Sequence, residues 1–174
     1  MFSCKDNKIP SLNIKKDGVI KWDVKEECTL IFQGSRKTDE LSGKIKCRGG
    51  QSSKYFKHSF SLELENKYSF PNLSKDDDWI LNANYIDKTF MRHKISYDLF
   101  REMNVKNVAS KSIFVNVSLN DVYNGLYVLM EEVNASMIGL NKIDTMSMLF
   151  KDPPIFRKKR LPYVKAVSYT HLTL

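Results

Sequence analysis

The stretch "LSGKIKCRGGQSSKYFKHSFSLELE", residues 41 to 65, decides how this chain folds. Its two ends alternate and its middle does not. In the first arm Ile45 and Cys47 face one way, while Lys44, Lys46 and Arg48 face the other. In the second, Phe60, Leu62 and Leu64 share one face, and Ser61, Glu63 and Glu65 the opposite one. A period of two marks a half-buried strand. Between the arms lies "RGGQSSKYFKH" (48–58), where two glycines and two serines break the alternation. The segment therefore predicts two strands joined as a hairpin, or lying as neighbours in one sheet.

Working outward, "IPSLNI" (9–14) reads as a short first strand and Asp17-Gly18 as a turn. "CTLIFQ" (28–33) is a continuous apolar run and predicts a buried strand. Downstream, "DDDWILNANY" (76–85) puts Trp79 and Leu81 in a short buried strand or a packed loop. A helix follows, with Asp87 as its N-cap and Asn104 as its stop; Met91, Ile95, Leu99 and Met103 recur every fourth residue. "SIFVNVSLN" (112–120) alternates again, Asn120-Asp121 makes a turn, and "YNGLYVLMEEV" (123–133) is apolar on both faces, as a central strand is. "NASMIGL" (134–140) starts a short helix, and the proline-rich "KDPPIFRKKRLP" (151–162) is a loop or linker. The expected fold class is α+β: a mostly antiparallel sheet with one main helix packed on it.

With 174 residues the chain is long enough for one domain with a real core. Its net charge of +8 attracts polyanions in general. Nucleic acid is nevertheless not an expected partner: the basic residues are scattered apart from "FRKKR" (156–160), with no helix-turn-helix, zinc-finger spacing or aromatic RNA-binding signature. Cys4, Cys28 and Cys47 form no Cys-x-x-Cys pair, which argues against metal ligation, and Cys28 and Cys47 are expected as buried free thiols. No apolar run is long enough to span a membrane. "FSC" followed by charged residues is similar to the end of a bacterial lipoprotein signal, which makes Cys4 a candidate lipid-bearing residue. On that reading the protein associates with a membrane through a lipid anchor, at the cell envelope or extracellular surface; the alternative is an ordinary short cytoplasmic N-terminus. Residues 1–8 are then a disordered terminus or a signal remnant. "AVSYTHLTL" (166–174) is similar to a translated sequencing-adapter read-through, which leaves residues 9–165 as the expected domain and that domain truncated.

The connection at 48–58 carries candidate chemistry. Gly49 and Gly50 let backbone come close to a ligand and take positive φ. Their amides, with the hydroxyls of Ser52 and Ser53, can donate to phosphate oxygens, and Lys57 adds a compact charge. The spacing is neither that of a Walker loop nor Gly-x-Gly-x-x-Gly, so spacing alone reads as a plain turn.

Three blocks in order give the segment a family context. "KIKCRGGQSSKYFKHSFSLEL" resembles the Arg-Gly-x-x-Ser-x-x-Phe-Pro-Lys-Lys-x-Tyr segment of the CotH kinase family, named for a bacterial spore-coat protein. "DDDWILNANYIDKTFMRHKISYDL" resembles that family's second block through Asp77, Trp79, Leu81, Ala83, Tyr85, Asp87, Lys88 and Arg92. "FVNVSLNDVYNGLYVLMEEV" resembles the third through Asn120, Tyr123, Gly125, Tyr127, Leu129 and Glu131. Departures are the missing proline before the lysine, His58 in place of the second lysine, and Asp121 in place of a turn glycine.

The resemblance implies the N-terminal part of a small atypical protein kinase fold that binds ATP with a divalent metal such as Mg and phosphorylates protein serines. It implies that Arg48, Gly49, Gly50, Ser52 and Ser53 cover the phosphates, that Lys57 neutralises them, and that Glu131 orders the nucleotide or a cation. Asp87 is either a helix cap or part of the cleft, and Arg92 either structural or a carboxylate partner. The family's catalytic aspartates come later in the domain, and Asp144 and Asp152 sit in unpatterned or proline-rich sequence. The chain accordingly reads as a nucleotide-binding portion, inactive alone, with its protein substrate and metal unnamed. The competing class is a non-catalytic, adhesin-like surface binding module, since some relatives act that way.

Overall fold

The alternating arms of the opening stretch become two neighbouring strands of a larger sheet in a computed structural model that describes residues 8–35, 37–134 and 137–140. In chain order the elements are β1 (Ser11–Lys15), β2 (Glu26–Gln33), β3 (Thr38–Arg48), β4 (Ser59–Tyr68), β5 (Asp76–Asn82), α1 (Arg92–Met103), β6 (Ser112–Leu119) and β7 (Val122–Glu131), with a short 3-10 turn at Gln51–Lys54. The chain divides into two units, Met1–Glu132 and Val133–Leu174. The first holds every strand and helix described. In the second, Met137 N–H donates to Asn134 Oδ1 at 2.9 Å in a turn, so the described part of the expected helix at 134–140 is not helical.

The strands run β1-β2-β3-β4-β5-β7-β6 around a closed barrel. β3 and β4 pair antiparallel with Cys47 opposite Phe60 and Ile45 opposite Leu62, as the alternation requires. Closure comes from β1 and β6, which lie parallel from Ser11 opposite Asn116 to Ile14 opposite Leu119. Inward residues of all seven strands, including Leu12, Leu30, Ile45, Leu62, Leu81, Val117 and Leu129, fill the interior as one cluster around Trp79 and Tyr127. A barrel this small is filled by its own side chains. Cys28 and Cys47 are buried and unpaired, as expected, and burial pushes the Cys28 thiol up to about 11.

This corrects the expected fold class. The molecule is a mostly β, closed barrel with one helix, not an α+β sheet with a helix packed on it, nor a kinase-like α+β fold. Two physical reasons account for the difference. Local pattern shows that β1 is a strand but not that it finds a partner on each side, β2 and β6. A barrel also completes its own core, leaving no apolar sheet face for a helix to cover.

α1 shows the second reason directly, for none of its residues is buried. Ile95 is 50% exposed, Leu99 56% and Met103 73%. The side turned to the barrel is polar. His93 bonds to Asn82 on β5, Lys94 Nζ to Ser112 O on β6 at 3.0 Å, and Arg101 to the carbonyls of Ala109 and Ser110. Asp98 pairs with Lys94 at 2.7 Å and also with Arg101. A four-residue repeat shows that a helix is amphipathic; it does not say which face meets water. The double variant Ile95→Lys/Leu99→Lys should lose most of the fluorescence of a bound apolar-surface dye while keeping stability within about 0.5 kcal/mol. A fall in Tm of several degrees would instead put the stripe inside.

Among the described residues no helix is long and apolar enough to cross a membrane. Cys4, "FRKKR", Asp144, Asp152 and the tail at 166–174 lie outside the described residues.

Candidate functional site

The chain leaves β3 at Arg48 and must reverse before β4 begins at Ser59. Gly49 makes the reversal at φ +98°, and a Cβ there would clash with Ser52 Oγ. Gly50 is different: its φ is −69°, and nothing lies within 4 Å of where its Cβ would be. Of the two glycines only the first is required by the backbone; the second leaves an open approach to it. The serine hydroxyls face their own loop. Ser52 Oγ donates to Arg48 O at 2.9 Å, and Ser53 Oγ to Gly50 O at 2.9 Å.

Lys57 reaches from this connection to two other parts of the barrel. Its amine donates to Ala83 O at 3.2 Å and to Leu126 O. It lies 4.1 Å from the centre of the Tyr127 ring and 5.0 Å from that of Phe90. Burial lowers its pKa to about 8. Gly125 makes room: β7 bulges there, with Val117 opposite Gly125 and Ser118 opposite Tyr123, and a Cβ on Gly125 would lie 3.4 Å from Lys57 Nζ. Tyr127 is buried beneath the amine; its hydroxyl donates to His58 O at 3.0 Å and accepts from Asn124 Nδ2 at 2.7 Å. Segments 48–58, 83–90 and 124–127 thus meet at one ammonium. Among the described residues neither Lys57 nor Arg48 has a carboxylate partner.

The other residues singled out in the sequence lie elsewhere. Glu131 ends β7, about 15 Å along the strand from Leu126. Its two carboxylate oxygens accept the backbone N–H groups of Ser74 at 2.8 Å and Lys111 at 2.9 Å. Trp79 is fully buried against Phe70, with its ring N–H on Asp76 O. Asp87 accepts from the Thr89 hydroxyl at 2.7 Å and the Arg92 N–H at 3.0 Å, and lies 3.5 Å from Arg92 Nε. It thereby holds the start of α1 from five residues upstream, and the Thr89 bond keeps its carboxyl below the usual range. Asn120 (φ +49°) and Asp121 (φ +67°) form the tight β6–β7 turn, and the Asn120 side chain ties that turn to Lys16 through both its amide ends. Tyr123 is exposed and donates to Asn116. Among the described residues no three His, Cys, Asp or Glu side chains converge as a metal site would require.

Sequence reasoning missed Phe90, Asn82, Ser59 and His93. Phe90 sits at φ +59°, with its carbonyl held by Asn84 Nδ2 at 3.1 Å, so its ring can turn toward Lys57. No periodicity marks such a residue. The one available signal was the run of asparagines in "LNANY", which ends the alternation of β5.

A family model described as CotH kinase protein matches residues 45–165. The match starts inside β3 and takes in the glycine turn, Lys57 and every group that touches it. No curated protein matches the chain.

Proposed function

Because this chain belongs to the CotH kinase protein family, we propose that it supplies the nucleotide-binding part of a protein that transfers phosphate from ATP to protein serines. One observation carries the proposal. Two cations without acidic partners, Arg48 and Lys57, flank a turn whose backbone is open at Gly50. An ammonium has three N–H bonds, and two of those on Lys57 are held by carbonyls. The third can meet a phosphate oxygen. A half-buried amine with a lowered pKa gains most from an anion, because the anion restores what desolvation removes. The described residues fit the phosphates of a nucleotide. They do not fit the divalent cation that accompanies phosphoryl transfer, so no step is assigned to a metal here.

The glycine pair gives the test. Gly50→Ala adds a methyl where backbone φ tolerates it, so stability should stay level or rise by about 0.5 kcal/mol. If phosphates lie over the turn, calorimetric titration with ATP should show at least a tenfold weaker affinity for this variant. Gly49→Ala should instead cost stability, about 1–3 kcal/mol, from strain at positive φ and the clash with Ser52. Absence of ATP binding by the unmutated chain would refute the reading and favour the surface binding module.

A further inference from the structure

On the outside of the barrel a row of polar side chains ends at a histidine that is not one of the positions matched to the family blocks. Cys47, Phe60 and Leu81 point inward, so Arg48, Ser59 and Asn82, one residue on, point outward. Arg48 stands directly opposite Ser59, and Ser59 is joined to Asn82 by a hydrogen bond. Asn82 in turn meets His93, in the first turn of α1.

Hydrogen-bond accounting fixes the state of that histidine. Ser59 Oγ accepts the Ala83 N–H at 3.0 Å, so its hydroxyl proton is directed to Asn82 Oδ1 at 3.3 Å. The Asn84 N–H also donates to Asn82 Oδ1, at 3.4 Å. A backbone N–H and a hydroxyl can converge only on the oxygen, so the NH2 of Asn82 is the group that faces His93. His93 Nδ1, 2.9 Å away, must accept. The imidazole proton therefore sits on Nε2, which has no partner among the described residues. Tyr97 closes the ring's side, edge-on at 4.4 Å between centroids. Burial first, and then the charge of Arg48, lower the His93 pKa and so favour the neutral ring.

We propose that His93 and Arg48 together form a phosphate-binding pair, with the guanidinium supplying charge and His93 Nε2–H supplying an oriented neutral donor. Arg48 is half-buried and has no carboxylate beside it. A second cation would repel it. A neutral donor held by Asn82 adds a hydrogen bond without that repulsion, and a phosphoryl group offers several oxygens to both. Asn82 is a positioning residue: it sets the tautomer and does not touch the anion. The inference rests on the nucleotide reading for the source of the phosphate, though not for the chemistry of the pair.

The test is NMR of the full chain, with nitrogen shifts of the histidine rings followed during titration by inorganic pyrophosphate and, separately, by ATP. The expected result is an Nε2–H tautomer of His93 in the free protein and movement of its Nε2 signal with either ligand. Arg48→Ala and His93→Phe should each weaken pyrophosphate binding tenfold or more. Should His93→Phe fail to fold, Asn82→Asp serves instead: its carboxylate can only accept, so the Nδ1 of His93 must carry a proton and the shift pattern must change. If pyrophosphate moves His93 and ATP does not bind, the pair stands and the nucleotide reading falls. If ATP binds and the His93 signals stay still, or if the free ring is the Nδ1–H tautomer, the pair is overturned.

Discussion

Glu131→Ala should lower stability by about 3 kcal/mol or more, a fall in Tm on the order of 10 °C for a chain of this size. The Glu131 side chain is almost fully buried, and its two oxygens each hold one backbone N–H. One belongs to Ser74, in the loop before β5; the other to Lys111, immediately before β6. Glu131 also donates its own N–H to Lys111 O at 3.2 Å. The buried carboxylate thus ties the end of β7 to two exposed segments, and its loss removes the charged acceptor that holds both of them. A hydrogen bond to a charged group contributes about 1.5–3 kcal/mol, and here two are lost together. Glu131→Gln keeps one carbonyl acceptor but turns an NH2 toward an N–H, so it should lose roughly half as much. Thermal melts beside ATP titrations separate this from the role the family resemblance implies. If Glu131→Ala melts like the parent and binds ATP more weakly, Glu131 belongs to the nucleotide site and not to the scaffold.

Glu131 also shows where the sequence could and could not be read. Its position at the end of a central strand was legible from a run that is apolar on both faces; its partners were not, because Ser74 and Lys111 meet it through backbone that carries no sequence signal. The same division holds elsewhere. Cys47 opposite Phe60 followed from two alternating arms, since a period of two fixes which side chains share a face. The parallel meeting of β1 with β6 did not, because contact between residues about a hundred positions apart leaves no local trace. Lys57 was recognisable as a candidate cation, but its carbonyl partners on Ala83 and Leu126 depend on three segments converging. The amphipathic repeat of α1 was real; the expectation failed in assuming that an apolar stripe faces a core and in capping the helix at Asp87, whereas Met91 is the N-cap and Asp87 reaches the first turn from outside it. His93 was passed over because its role comes from Asn82 and Ser59, which are ordinary polar residues until the barrel places them side by side.

ATP binding at pH 8 should be accompanied by uptake of about half a proton per chain, and Lys57→Met should abolish the uptake while weakening ATP by tenfold or more. The sign follows from the direction of the shift. Burial holds Lys57 near 8 in the folded chain, below the ordinary lysine value of 10.5. Around pH 8 the folded protein therefore carries this amine about half protonated, while an unfolded chain carries it fully protonated. Stability contributed by this group rises as pH climbs from about 8 toward 10.5, because the unfolded state then holds more protons than the folded one. A phosphate beside the amine reverses the burial effect and raises the pKa again, so the folded protein takes up the missing fraction on binding. At pH 6 the amine is already charged, and uptake at Lys57 should vanish. Titration calorimetry in two buffers of different ionisation enthalpy reads the proton count directly. Methionine matches the length of the lysine stem but leaves Ala83 O and Leu126 O without their donor, so the variant should also melt lower, by roughly 1–3 kcal/mol of stability. ATP affinity and proton uptake, not the melt, distinguish a cation that braces the barrel from one that also meets phosphate: loss of the brace alone lowers the melt and leaves ATP affinity and proton uptake as they were.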